Sequence, residues 1–369
     1  MKEIIQKLIE LSSRREPGAL ASVVSAKGSL PMSRRSRMLV CPGGAQIGTV
    51  GGGCLEAEVH SLGGQAIRSR QAWLRRFTLT ESKAGAEGLN CGGTVEILVE
   101  PVGSSSALQD ERTSEVYEAG LRALEAREET VMATFLQGGR EGAGFEILGK
   151  GLVGWKGLRA GSGGFDPASE PTPLLRYAVE EALGILGQDR SVLLEPSAAD
   201  PVGSGRLFLE AINAPPTLYL FGGGHVSLAV ASVARAAGFR VVVVDDRPAF
   251  ANPDRFPEAE QTVVLPMHDA LSRLPIDRSS YIVAVTRGHQ HDEPVIEQAI
   301  RTPAAYIGMI GSRRKVAVMW ERLKSRGVSG QELARVHAPI GLSIGADSPG
   351  EIAVSIVAQL IKVRRHSGR

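Results

Sequence analysis

Aromatic residues make up only 5% of the 369-residue chain, and cysteine is scarcer still: Cys41, Cys54 and Cys91, all in the first quarter. An odd count argues against a disulfide framework and leaves thiols for reactive or soft-ligand roles. No apolar run reaches the ~20 residues a membrane-spanning helix needs. The opening MKEIIQKLIELSSRRE is an amphipathic helix pattern, with no leading apolar segment and cleavage site. A cytoplasmic protein with no membrane partner is expected. Neither sign of charge dominates: 42 Lys and Arg oppose 40 Asp and Glu, a formal net charge of +2. No basic field therefore points to nucleic acid, and the run Lys362-Val363-Arg364-Arg365 reads as a solvated helix end favoured by the macrodipole.

Glycine, with 44 residues, is plentiful, and 43% hydrophobic residues suffice for sizeable cores in the two or three domains the length suggests. The chain is organised around LYLFGGGHVSLAVASVARAAGFRVVVVDD, residues 218–246. An apolar run at 218–221 reads as a buried strand and stops at Gly222-Gly223-Gly224. An apolar helical pattern follows over 226–237, with Gly238 as C-cap, and a β-branched run at 241–244 ends on Asp245 and Asp246. Strand, glycine turn, helix, strand and acid in this order make a Rossmann-like dinucleotide-binding unit. Gly222 permits the tight turn. Gly224 lets a phosphate approach the backbone, where the helix N-terminus offers N–H donors. Ser227 occupies the third glycine position, so helix and strand must pack over an extra side chain. The plainer reading, in which the glycines only tighten a turn, stands beside this one.

Further strands are predicted at 262–265, 281–285 and 304–310, with helices between them and a long helix over 349–364. Such alternation means a parallel sheet with right-handed crossovers. Residues 1–102 read as one unit: helix 3–13, strands 18–26 and 37–40, a glycine-rich stretch 48–53, a helix over 54–69, strand 73–80, loop 88–93 and strand 94–101. Residues 103–112 read as a linker. Residues 113–215 loosely repeat the plan, without cysteines or triple glycine: VYEAGLRALEAREETVMATFLQ follows IIQKLIELSSRREPGALASVVS, and GRLFLEAINAPP follows TVEILVEPV. The expected fold is α/β, with a C-terminal Rossmann-like parallel sheet (216–369) and an N-terminal α/β domain (1–102). A degenerate half-repeat (103–215) is expected to complete the first copy's sheet.

Ligands of a doubly wound sheet sit off the carboxyl ends of its strands. Four predicted segments share that edge, GGGH, DDR, TRGHQHDE and GSRRK, and supply His225, Asp245, Asp246, Arg287, His289, His291, Asp292, Ser312 and Arg313. Arg313, beside Gly311-Ser312 at a helix start, suits an anion by bidentate donation. Arg314 and Lys315 equally suit solvated helix charges. His289 and His291 beside Asp292 are metal-ligand types, but no third ligand stands at metal spacing, and Asp292 fits a helix N-cap. In the first unit GTVGGGCLEAEV (48–59) and GLNCGGTVEILVE (88–100) each place a cysteine beside glycines, where the backbone can closely approach a ligand. Cys54 would open a helix, a setting that favours thiolate, with Glu56 in the first turn. Thiolates suit molybdenum–sulfur or persulfide chemistry. Alternatively both are small buried hydrophobes, as Cys41 is read to be.

These motifs resemble the xanthine dehydrogenase accessory proteins, the XdhC/CoxI family, over nearly the full length. The resemblance rests on GSLP (28–31), VGGGCLE (50–56), CGGTVEILVEP (91–101), LFGGGHVSLAVA (220–231), VVDDR (243–247), TRGHQHD (286–292), YIGMIGSRRK (306–315) and HAPIGLSIGADSPGEIAVSIVAQL (337–360). It implies a cytoplasmic homodimer that binds molybdenum cofactor, as molybdopterin or its cytidine dinucleotide form. A cysteine desulfurase would supply the metal's sulfido ligand, and the cofactor would pass to a xanthine dehydrogenase-like molybdenum hydroxylase. Such a protein is a chaperone more than a turnover enzyme. Cys54, Glu56 and Cys91 become candidate cofactor contacts, the two thiols toward molybdenum. Gly222, Gly224 and His225 become the phosphate turn, with Asp245, His289, Ser312 and Arg313 on the crevice. A pterin with a phosphate at one end and a metal–dithiolene at the other suggests one site bridging both domains. GGGH stands where many members have GAGH. Two other readings stay open. In an NAD(P)-dependent oxidoreductase, Asp245 would accept from a ribose hydroxyl, although no hydride-transfer constellation is evident. In an interaction scaffold the crevice would be vestigial.

Overall fold

The structure, a computed structural model, describes residues 1–28, 36–78, 93–103, 107–138, 144–167, 170, 172–188, 190–195 and 205–366. It divides into two compact units, Met1–Ala214 and Pro215–Ser367. The first unit opens with α1 (Lys2–Arg14), β1 (Gly18–Lys27), β2 (Arg37–Val40), β3 (Gln46–Thr49), α2 (Gly53–Ser69), β4 (Trp73–Thr78) and β5 (Thr94–Val102). It continues with α3 (Ala107–Glu125), β6 (Thr130–Gln137), β7 (Glu146–Gly154), β8 (Gly157–Gly163), α4 (Pro173–Ile185), β9 (Ser191–Leu194) and β10 (Arg206–Ile212). The two runs build two five-stranded sheets of the same order, β3-β2-β1-β5-β4 and β8-β7-β6-β10-β9, antiparallel throughout.

Two expectations need correction. The half-repeat does not complete the first sheet; it builds its own, and the two pack face to face. Successive residues of a strand point to opposite faces. Ala19, Ala21 and Val23 of β1 share a core with Leu55, Val59 and Leu62 of α2. On the other face Leu20 meets Met132 and Leu152 of the second sheet, and Val24 and Leu98 meet Leu136 and Phe208. A strand covered on both faces explains why β1 carries small and apolar residues without alternation and is buried almost throughout. Residues 103–112 are also not a linker throughout, because α3 begins at Ala107, where Ala, Leu, Gln, Glu and Arg favour helix.

Two ion pairs are buried between these sheets. Lys150 Nζ stands 2.7 Å from Glu100 Oε2, and Arg37 Nε donates to Glu210 Oε1 at 2.6 Å. The duplication relates them residue by residue. Arg37 lies opposite Ser22 of β1, as Lys150 lies opposite Thr134 of β6. Glu100 and Glu210 lie opposite Leu20 and Met132, two residues earlier on those strands. Each copy's cation thus meets the other copy's acid.

The second unit comprises β11 (Thr217–Phe221), α5 (His225–Ala236), β12 (Arg240–Asp245), β13 (Gln261–Val264), β14 (Ser280–Ala284), α6 (His289–Ala299), β15 (Tyr306–Met309), α7 (Arg313–Ser325), α8 (Gly330–Leu333), β16 (Val336–His337) and α9 (Pro349–His366). Its six-stranded sheet runs β13-β12-β11-β14-β15-β16, parallel throughout. This is the Rossmann-like arrangement expected, with its topological switch point between β11 and β14. One face packs on Val295, Ile296, Val316 and Met319 of α6 and α7, the other on Val230, Ala234, Ile356 and Leu360 of α5 and α9. The basic end of α9 is not simply solvated: Arg364 Nη1 donates to the Ala237 carbonyl at 3.1 Å, and its guanidinium lies 4.7 Å from the Phe239 ring centroid. Among the described residues no helix is long and apolar enough to cross a membrane.

Candidate functional site

At the carboxyl end of β11 the three glycines do different jobs. Gly222 has φ +108°, and a Cβ there would stand 2.5 Å from the Val285 carbonyl oxygen and 2.8 Å from Thr286 Cα. Only glycine lets the turn lie against the end of β14. A Cβ on Gly223 would overlap the Phe250 carbonyl. Gly224, by contrast, is extended at φ −74°, and a Cβ there would meet nothing within 4 Å. The fold demands the first two glycines; the third leaves open space before α5. That helix starts at the exposed His225 with no side-chain cap, so no side chain of the cap takes up its first-turn N–H groups at the positive end of the macrodipole. Ser227 is buried and donates to the Gly222 carbonyl, so the residue that departs from the fingerprint ties the turn to its own helix. Gly223→Ala is expected to cost ~1–3 kcal/mol by overpacking and to lower the thermal midpoint by several degrees. Gly224→Ala should melt with the parent chain, and an equal loss in both would refute the division of roles.

Asp245 is not free for a ribose. Its carboxylate is buried and accepts from Gly223 N at 2.8 Å, Arg247 N at 3.0 Å, Arg247 Nε at 2.8 Å and Arg247 Nη2 at 3.0 Å. Burial alone would push the carboxyl up, but the hydrogen bonds from Arg247 and Gly223 outweigh it and hold it below the usual range. Arg247 in turn lies 3.5 Å from the Phe250 ring centroid. The acid expected as a ribose acceptor is instead a structural clasp, because Arg247, two residues on, folds back onto it.

Across the crevice Asp292 is fully buried and accepts from Thr286 N at 3.1 Å, Thr286 Oγ1 at 2.6 Å and Lys315 Nζ at 2.8 Å. It is not the N-cap; that is Gly288, since α6 begins four residues earlier than expected. Nor is Lys315 a solvated charge, because it is the partner Asp292 needs. His291 Nε2 accepts from Arg287 Nε at 2.9 Å. Among the described residues no group of three or more His, Cys, Asp or Glu is placed to hold a metal ion. His289 opens α6, but its side chain lies outside the described residues. Ser312 is spent as the cap of α7, accepting from Lys315 N at 3.2 Å. Arg313 and Arg314 are exposed at that helix start. No role was expected of Arg247, although the motif DDR carried it in plain view.

In the first unit Cys54 is exposed in the first turn of α2, whose N-cap Gly52 has φ +80° and supplies no side-chain cap. Glu56 holds the glycine loop in shape. It accepts from the Thr49 hydroxyl, from Gly52 N at 3.1 Å, and from Val50 N and Gln46 Nε2, both at 3.3 Å. The Thr49 bond foremost keeps its carboxyl below the usual range. At the equivalent junction of the second copy, Thr172 Oγ1 caps α4 by accepting from Leu175 N at 3.1 Å. One copy has closed this helix end, and the other leaves it open beside a cysteine. Cys41 is buried, and burial pushes its thiol up. Cys91 lies outside the described residues, as does the predicted loop 88–93 up to Gly93.

Two family models match the chain: the XdhC Rossmann domain over residues 218–360 and the XdhC and CoxI family over residues 11–78. Together they span more than half of it. The chain is 34% identical over 160 residues to a probable xanthine dehydrogenase subunit of Bacillus subtilis (strain 168), covering 43% of this chain and 46% of that protein. It is 26% identical over 149 residues to the Molybdenum cofactor insertion chaperone PaoD of Escherichia coli (strain K12), covering 40% of each. The matches span less than half the length of the curated relatives. A solved structure described as a xanthine dehydrogenase from Bacillus halodurans superposes with a TM-score of 0.70 at 24% identity, over 98% of this chain and 95% of that one. At that identity the likeness is one of fold.

Proposed function

This chain belongs to the XdhC and CoxI family, and on that premise we propose that it is an accessory protein of a xanthine dehydrogenase-like molybdenum hydroxylase. It binds molybdenum cofactor, holds it while a cysteine desulfurase supplies sulfur to the metal, and inserts it into the enzyme. The observation that carries this reading is the open space at Gly224 before the uncapped N-terminus of α5. A phosphate fits there: it takes N–H donors that no side chain caps and sits at the positive end of the helix. The name of the relative PaoD supports the choice of guest. Gly222 and His225 complete the phosphate turn, and Ser312 and Arg313 line the same sheet edge. The exposed Cys54, together with Cys91, is proposed to meet the molybdenum, with Glu56 fixing the loop that presents Cys54. Work as a cytoplasmic homodimer is part of the same proposal.

The test is retention. Purified protein mixed with molybdenum cofactor and passed over gel filtration should elute with molybdenum and pterin together, read by metal analysis and pterin fluorescence. Gly224→Asp places a carboxylate where the phosphate would sit, yet aspartate is a good N-cap. That variant should melt no lower than the parent and retain at least about tenfold less cofactor, the loss of one charge-assisted contact. No retention by the parent chain, or equal retention by the variant, overturns the reading.

A further inference from the structure

In the second unit's sheet β11 lies between β12 and β14. Arg287, three residues past the end of β14, nevertheless reaches Asp246, just past the end of β12, with Nη2 2.9 Å from Oδ2. Strands two apart in a sheet are separated by roughly 10 Å, so this side chain must cross the carboxyl end of β11, in front of the glycine turn. The lack of a Cβ at Gly222 lets the turn lie directly against Val285 and Thr286, the root of Arg287. The guanidinium is steadied from a second side by His291, whose Nε2 accepts from Nε at 2.9 Å. Nη1 makes no hydrogen bond among the described residues, and the residue is exposed.

An arginine held across a phosphate turn by a partly exposed carboxylate is poised for exchange. A solvent-exposed ion pair is worth little, whereas a guanidinium binds phosphate bidentately and more strongly. We propose that Arg287 is a second anion-binding group of this crevice, parked on Asp246 in the free protein and transferred to the ligand's second phosphate on binding. The ligand class is therefore an organic diphosphate, such as a pterin joined to a nucleotide through a pyrophosphate, rather than a monophosphate. This rests on the reading that the turn at Gly224 takes the first phosphate. His291 is a positioning residue: it keeps the guanidinium edge aligned across the turn.

Calorimetric titration of the full chain with inorganic pyrophosphate and with inorganic phosphate tests it. Pyrophosphate should bind at least about tenfold more tightly than phosphate, the worth of one charge-assisted contact. Arg287→Gln should erase that preference and leave phosphate binding unchanged. Asp246→Asn, which removes the competing carboxylate, should tighten pyrophosphate several-fold. Arg287 is exposed and Asp246 partly so, and the opposite directions of the two variants separate a binding role from a folding defect. A preference that survives in Arg287→Gln, or no preference in the parent chain, overturns the proposal. If the preference follows Arg287 but molybdenum cofactor is not retained, the delivery reading falls and the diphosphate site stands.

Discussion

Lys150→Met should destabilise the first unit by ~3–5 kcal/mol, because it strands Glu100 as an unpaired buried charge. Glu100 is 4% exposed and Lys150 5%, so water cannot take the partner's place. Lys150 Nζ also donates to Thr134 Oγ1 at 2.7 Å, a bond lost with it. Arg37→Met should cost a similar amount through Glu210, since the duplication places the two pairs in equivalent settings. The double variant Lys150→Met/Glu100→Leu removes both charges and their desolvation together, and replacing a buried pair in this way is often neutral or stabilising by ~1–4 kcal/mol. Urea unfolding followed by circular dichroism measures all of these. A single variant that costs less than ~1 kcal/mol, within the range of exposed pairs, would mean the inter-sheet layer is wet and the pairs incidental. A double variant as unstable as the single would mean that packing of the Lys150 stem matters more than its charge.

Lys150 also shows where sequence reading stops. The glycine turn, its flanking strands and the parallel sheet were legible because each is a local pattern: β-branched runs broken by glycine at short range. The repeat in residues 113–215 was legible for the same reason. That it forms a second sheet was not, because periodicity shows that a face is buried and not what buries it. One available signal, the apolar and small residues on both faces of β1 with no charge before Lys27, pointed to cover on both faces. Lys150 within GKGLVG looks like an exposed strand residue, and its partner, fifty residues earlier, leaves no local trace. β16 went unseen because two residues, Val336 and His337, make no run. At the site, residue types were legible but their engagements were not. Asp245, Glu56, Ser312 and Asp292 all stand near where a ligand contact was expected, and all are occupied by neighbours that the turns bring back onto them. Gly224 and Arg313 keep an outward face, and Arg287 keeps a guanidinium nitrogen to spare.

Asp245→Asn should cost the second unit ~2–4 kcal/mol, the loss of charge-assisted bonds to a guanidinium and to backbone N–H groups around a buried oxygen pair. The pH dependence has a definite sign. The folded carboxyl titrates below the usual range, so its contribution is fully present above the unfolded value of about 4 and is lost as pH falls through the lower folded value. The stability gap between parent and Asp245→Asn should therefore be constant near neutrality and close below about pH 4; a gap that widened in acid would contradict the clasp. The same occupancy bears on nicotinamide cofactors. An aspartate that accepts four bonds from its own chain has no good lone pair left for a ribose diol, so millimolar NAD should not shift the melting of the parent protein. Arg247→Ala removes two of those bonds and uncovers the carboxylate at the end of β12, the position from which an acid in this fold holds a ribose. If any variant of this chain acquires NAD binding, it should be that one. NAD that stabilised parent and variant alike would show that Arg247 does not guard the site, and it would reopen the oxidoreductase reading.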